Sequence, residues 1–132
     1  MTQREFISQF ISRNKGAIIV GSLGTISKDL IELDNKKNRI IPIKGAMGCA
    51  VGVGLGIALN SDKQVYVLIG DGALLMKLGS LATVAKCNPI NLKIIVLDNG
   101  CHASCGGQPT NFRYMKKYIE KIPFVEINEI HS

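Results

Sequence analysis

Aromatic residues are scarce in this chain: four Phe, three Tyr and no Trp, 5% of the sequence. A surface that stacks nucleic-acid bases needs aromatic rings interleaved with cations. Lys and Arg outnumber Asp and Glu by 16 to 10, giving a net charge of +6. Yet the cations are scattered, apart from Lys36-Lys37-Asn38-Arg39 and the stretch 113–121. The charge favours anionic partners, but a nucleic-acid partner is not expected. Long hydrophobic runs are also missing. The longest apolar region, 45–59, is interrupted by glycines and falls short of the ~20 residues a membrane span needs. Phe6, Ile7, Phe10 and Ile11 are helically spaced among polar residues, unlike the apolar block of an export signal. A cytoplasmic protein is expected, and its four cysteines are expected to be reduced thiols. Cys49 and Cys87 lie on helical patterns and read as core. Cys101-His102-Ala103-Ser104-Cys105 offers three zinc-type ligands but no second pair, so a structural zinc site is not expected.

What is present is 46% hydrophobic residues and fourteen glycines in 132 residues, the composition of one packed α/β domain with tight turns. Residues 2–14 read as an amphipathic helix and 17–20 as a short buried strand. Thr25 or Ser27 can cap a helix running to about Leu33. Ile40–Ile43 is a strand whose Pro42 suggests a sheet edge. A small-residue helix is predicted over 46–59. Strand 65–70, helix 73–87, strand 92–98, loop 99–111, a helix over about 112–121 and a last strand at 124–127 follow. Strict alternation of this kind predicts a three-layer, doubly wound parallel sheet with helices on both faces. Gly52-Val53-Gly54 is not a dinucleotide fingerprint, because it falls inside a helical segment. Close helix packing is the expected role of Gly52, Gly54 and Gly56.

Two of the strands end alike. Val65-Tyr66-Val67-Leu68-Ile69 runs into Gly70-Asp71-Gly72, and Ile94-Ile95-Val96-Leu97 runs into Asp98-Asn99-Gly100. Asp-Gly and Asn-Gly are also hairpin signals. However, Leu74, Leu75, Leu78, Leu81, Ala82 and Ala85 follow helical spacing, so the first turn reads as strand-to-helix. In a parallel sheet, Asp71 and Asn99 then lie at the carboxyl ends of two strands, where such sheets bind ligands. A carboxylate and a carboxamide suit a hard divalent cation, and a helix opening after Gly72 suits a phosphate. The pair reads as a magnesium–diphosphate site.

Gly70-Asp71-Gly72, a spacer of twenty-five residues and Asp98-Asn99 resemble the thiamine-diphosphate motif of the pyruvate-decarboxylase-like superfamily. Gly45-Ala46-Met47-Gly48 is similar to that family's Gly-x-(large apolar)-Gly turn. Leu97-Asp98-Asn99-Gly100 with Gly106-Gly107-Gln108-Pro109-Thr110 is most similar to phosphonopyruvate and sulfopyruvate decarboxylases. The resemblance spans nearly the whole chain. It implies a pyrophosphate-binding domain over 1–132 and thiamine diphosphate and Mg2+ as cofactors. Asp71, the side-chain oxygen of Asn99 and the carbonyl of Cys101 are implied as metal ligands. Gly70, Gly72 and Ala73, together with the Gly24-Thr25 turn, are implied around the diphosphate. The Gly45 carbonyl would accept from the aminopyrimidine, and Met47 would support the bent cofactor. His102 follows the metal loop; it would either serve the substrate as donor or proton carrier, or be a loop histidine.

In this family a second, pyrimidine-binding domain supplies an activating glutamate. None of Glu5, Glu32, Glu120, Glu126 and Glu129 matches it. The resemblance therefore implies a partner subunit carrying that domain, and a hetero-oligomeric decarboxylase inactive without it. It also implies a small-molecule 3-phosphono- or 3-sulfo-2-oxo acid substrate. Two alternatives are a non-catalytic binding or regulatory module with the same fold and a flavodoxin-like nucleotide-binding domain.

Overall fold

The structure, a computed structural model, describes residues 1–34, 39–102 and 106–131. Its elements run α1 (Gln3–Arg13), β1 (Ile18–Gly21), α2 (Thr25–Leu33), β2 (Arg39–Pro42), α3 (Ala50–Leu59), β3 (Val65–Gly70), α4 (Asp71–Met76), α5 (Ser80–Cys87), β4 (Leu92–Asp98), β5 (Cys101–His102), β6 (Gln108–Pro109), a 3-10 turn (Phe112–Tyr114), α6 (Lys116–Ile119) and β7 (Val125–Glu129). Five strands form one parallel sheet in the order β2-β1-β3-β4-β7, with the proline-bearing β2 at an edge. The predicted α/β class and parallel sheet are therefore found.

The sheet is buried on both faces, which is why its strands are almost continuously apolar. Side chains alternate between the faces along each strand. Val20, Val67, Ile94 and Val96 pack with Val51, Leu74, Leu81 and Val84 of α3, α4 and α5. Ile19, Leu68, Ile95 and Leu97 pack with Ile7, Ile11, Ile26 and Leu30 of α1 and α2. No helix among the described residues is long and apolar enough to cross a membrane.

Several boundaries differ from expectation, each for a local reason. Helix 46–59 starts at Ala50, because Gly45 and Gly48 adopt φ of +70° and +83°. The predicted helix 73–87 is two helices, α4 and α5, broken between Met76 and Ser80 around the poor helix former Gly79. The segment 112–121 is a 3-10 turn followed by one short helix. Neither Thr25 nor Ser27 caps α2; Gly24 holds the cap position at φ +92°. Ser27 instead turns its hydroxyl back onto the Gly21 and Ser22 carbonyls, at 2.9 and 2.7 Å. Close packing accounts for Gly54 alone, where an added Cβ would come within 2.3 Å of Val67 Cγ2; Gly52 and Gly56 face open space. Cys87 is exposed rather than core, and Cys49 is half-buried with Lys77 Nζ 3.2 Å from its sulfur. Cys105, and with it the zinc-type cluster as a whole, lies outside the described residues, as do residues 36–38 of the basic run.

Candidate functional site

The strand order reverses direction at β1, which pairs with β2 on one side and β3 on the other. Open parallel sheets bind ligands at such a point, beyond the carboxyl ends of the strands. A cavity of about 140 Å³ lies there. Gly24 and Thr25, after β1, and Gly70, Asp71, Gly72 and Ala73, after β3, line it. Asn99, Cys101 and His102, after β4, and Met47, ahead of α3, complete the predicted set. Gly45 is the exception. It is exposed and does not line the cavity, being two residues upstream of Met47 with its backbone turned at φ +70°.

Asp71 is the most firmly held of these groups. It is 2% exposed and accepts a short hydrogen bond on Oδ2 from the Thr110 hydroxyl. The Thr110 oxygen in turn accepts from the Phe112 N–H at 3.3 Å, and the Thr110 N–H donates to the Gly100 carbonyl at 3.1 Å. These bonds give the hydroxyl one orientation, so it donates to the carboxylate. Opening α4 at Asp71 also leaves the N–H groups of its first turn, those of Gly72 and Ala73 among them, without intrahelical acceptors.

Asn99 is half-buried, and its Oδ1 accepts from the Cys101 N–H at 3.2 Å. Asp98 makes the corresponding bond to the Gly100 N–H at 3.0 Å. Burial, and then the charge of Asp71, push the Asp98 carboxyl above its ordinary range, while the Gly100 N–H works the other way. Beyond Asn99 the chain makes a small antiparallel hairpin, β5 against β6, that brings His102 over the helix opening. An added Cβ on Gly72 would lie 2.6 Å from His102 Cε1 and 2.9 Å from Nδ1. A side chain at 72 would force that ring, and the Thr110 Cγ2 methyl 3.1 Å away, to shift.

Gln3, Ser22, Leu23, Ile26 and Leu97 also line the cavity and were not anticipated. Ser22 is 2% exposed, donates its N–H to the Leu68 carbonyl at 2.9 Å, and accepts from the Gly70 N–H at 3.4 Å. It ties β1 to the end of β3. Its place after a β-branched run was the available signal. For Gln3, far away in sequence, there was none.

Residues 20–131 match the family described as thiamine pyrophosphate enzyme, C-terminal TPP binding domain, and the chain belongs to that family. Among similar proteins, a phosphonopyruvate decarboxylase of Streptomyces hygroscopicus is 49% identical over 94 residues, 71% of this chain and 23% of the relative. Sulfopyruvate decarboxylase subunit beta of Methanocaldococcus jannaschii is 40% identical over 94 residues, 71% of this chain and 50% of the relative. The chain thus matches about a quarter of the first and half of the second. An X-ray structure of a proposed thiamin diphosphate-dependent enzyme from Mycobacterium smegmatis superposes with a TM-score of 0.71 at 20% identity, over 100% of this chain and 32% of that one. That likeness supports the fold.

Proposed function

We propose that this chain is the pyrophosphate-binding half of a thiamine-diphosphate- and magnesium-dependent decarboxylase acting on a 3-phosphono- or 3-sulfo-2-oxo acid. The products are carbon dioxide and an aldehyde. The observation that carries the proposal is the buried Asp71, oriented by Thr110 and facing one cavity with Asn99, Cys101 and the opening of α4. The donor set fits the cofactor: carboxylate, carboxamide and backbone carbonyl oxygens are ligands for a hard cation such as Mg2+. Asp71, Asn99 and the Cys101 carbonyl would hold the metal. The Gly72 and Ala73 N–H groups and the Gly24-Thr25 turn would hold the diphosphate, with Met47 against the cofactor. When bound, thiamine diphosphate supplies the carbanion chemistry of 2-oxo acid decarboxylation. His102, half-buried beside Gly72, would donate a hydrogen bond to the substrate's anionic end. The similarity to phosphonopyruvate and sulfopyruvate decarboxylases and the net charge of +6 support that substrate class.

The cavity's 140 Å³ is below the roughly 300–1,000 Å³ of complete ligand pockets. A half-site of this kind needs a second wall, and a partner subunit carrying the pyrimidine-binding domain would supply it, in a hetero-oligomer of the cytoplasm. The name of the archaeal relative, a beta subunit, supports this reading. The test is melting of the chain with thiamine diphosphate, with Mg2+, and with both. Stabilisation that needs both is expected; equal stabilisation by cofactor in excess chelator would reject the site. Carbon dioxide release from 3-phosphonopyruvate, 3-sulfopyruvate and pyruvate is expected only after the partner is added. Robust turnover by the chain alone would reject the split site.

A further inference from the structure

The cavity reaches a residue outside the family match. Gln3 opens α1, ahead of the matched segment 20–131, and its half-buried side chain lines the cavity. The turn that carries it is held in place. A reciprocal capping box joins Thr2 and Glu5, and the Met1 carbonyl accepts from the His131 N–H at 3.0 Å. Gln3 Nε2 donates to Thr25 Oγ1 and to Asp29 Oδ2, both at 3.0 Å. Asp29 accepts a further bond from Arg4 on Oδ1 at 2.9 Å, and Arg4 also pairs with Glu32 at 2.7 Å.

Chemistry decides which end of the Gln3 amide faces these groups. A carboxylate only accepts, so the atom beside Asp29 must be the NH2, and both of its hydrogens are then used. Thr25 Oγ1 is therefore an acceptor toward Gln3. A hydroxyl has one hydrogen and two lone pairs. With a lone pair turned to Gln3, the O–H of Thr25 is released in another direction. Thr25 lines the cavity at the first position of α2 and makes no other side-chain hydrogen bond among the described residues.

We propose that Gln3 is a positioning residue: it holds the Thr25 hydroxyl as a donor toward the diphosphate of the cofactor. Without Gln3 the hydroxyl is free to turn its hydrogen toward Asp29 or solvent and to present a lone pair to the anion. The inference rests on the reading of the cavity as a thiamine-diphosphate site.

The test is a double-mutant cycle on the full chain, read by calorimetry of thiamine diphosphate, and of inorganic pyrophosphate, in saturating Mg2+. Thr25→Val is expected to weaken both ligands about tenfold, as loss of a hydrogen bond to a charged group does. Gln3→Leu is expected to weaken them severalfold in the wild-type background and not at all in the Thr25→Val background. Thr25→Ser keeps the hydroxyl and should retain both near-wild-type affinity and sensitivity to Gln3→Leu. Melting without ligand reports any effect on folding, and Gln3→Met serves if Gln3→Leu does not fold. Unchanged affinity in Gln3→Leu, or equal losses in the two backgrounds, overturns the inference while leaving the site intact. Failure of the wild-type chain to bind either ligand overturns the reading of the site, and this inference with it.

Discussion

The ends of β3 and β4 look alike in sequence and differ in structure. Each is an apolar run closing on a short oxygen-bearing side chain beside glycine. At the end of β3 the chain enters α4 directly, and Asp71 is 2% exposed and gripped by Thr110 from 39 residues away. At the end of β4 the chain runs on into β5, and Asn99 is half-buried, its one side-chain hydrogen bond among the described residues coming from the Cys101 N–H at 3.2 Å. One oxygen is held before any ligand arrives; the other rests on a local turn. Holding a charged group costs desolvation unless hydrogen bonds compensate, which explains why the carboxylate has the long-range support and the neutral carboxamide does not. Under the proposed function, the rigid end would define where a cation sits and the loop end would supply a second oxygen.

The largest expected effect comes from removing the rigid oxygen. Asp71→Ala should abolish Mg2+-dependent binding of thiamine diphosphate in calorimetry while the chain remains folded by circular dichroism. Unchanged affinity would show that the two strand ends do not share a metal.

Thr110→Val should come next. It keeps the shape but strips the donor from a buried carboxylate, at a cost of about 1–3 kcal/mol in denaturant unfolding. Loss of an outer-shell partner should also weaken metal-coupled binding by ~10–100-fold. If Thr110→Val affects neither, the difference between the two ends lies elsewhere.

Gly72→Ala sharpens the comparison from the ligand side. Its Cβ would meet His102 Cε1 at 2.6 Å, so a loss of about 1–3 kcal/mol from forced repacking is expected. In a His102→Ala background most of that loss should vanish, because alanine is the better helix former. Equal losses in both backgrounds would mean that the ring is not what excludes a side chain at 72.

The smallest effect on folding is expected at the loop end. Asn99→Ala gives up one half-exposed contact and should change stability by no more than about 0.5 kcal/mol, the usual range for surface substitutions. A change as large as that of Thr110→Val would erase the distinction between the two ends.

Much of this molecule is legible locally. The continuous apolar runs in 65–70 and 92–98, and the helical spacing of Leu81, Ala82 and Ala85 in α5, are short-range consequences of strand and helix geometry. The errors are local too, and come from backbone choices that periodicity does not register. Gly45 and Gly48 delay α3 by adopting positive φ, and the helical spacing of Leu75, Leu78 and Leu81 passes straight through the break at 77–79. Ser27, like Thr25, suits a cap by residue type alone, whereas its hydroxyl serves the carbonyls at the end of β1.

The sequence by itself determined the α/β alternation, the two strand ends that carry Asp71 and Asn99, and through them the family, because each is written within a few consecutive residues. Only the tertiary structure decided that β1 lies beside β3, that Thr110 grips Asp71, that His102 covers Gly72 and that Gln3 reaches Thr25. Those contacts depend on where the chain returns after long excursions. That return is set by the burial of whole faces against one another, which no local pattern of residues encodes.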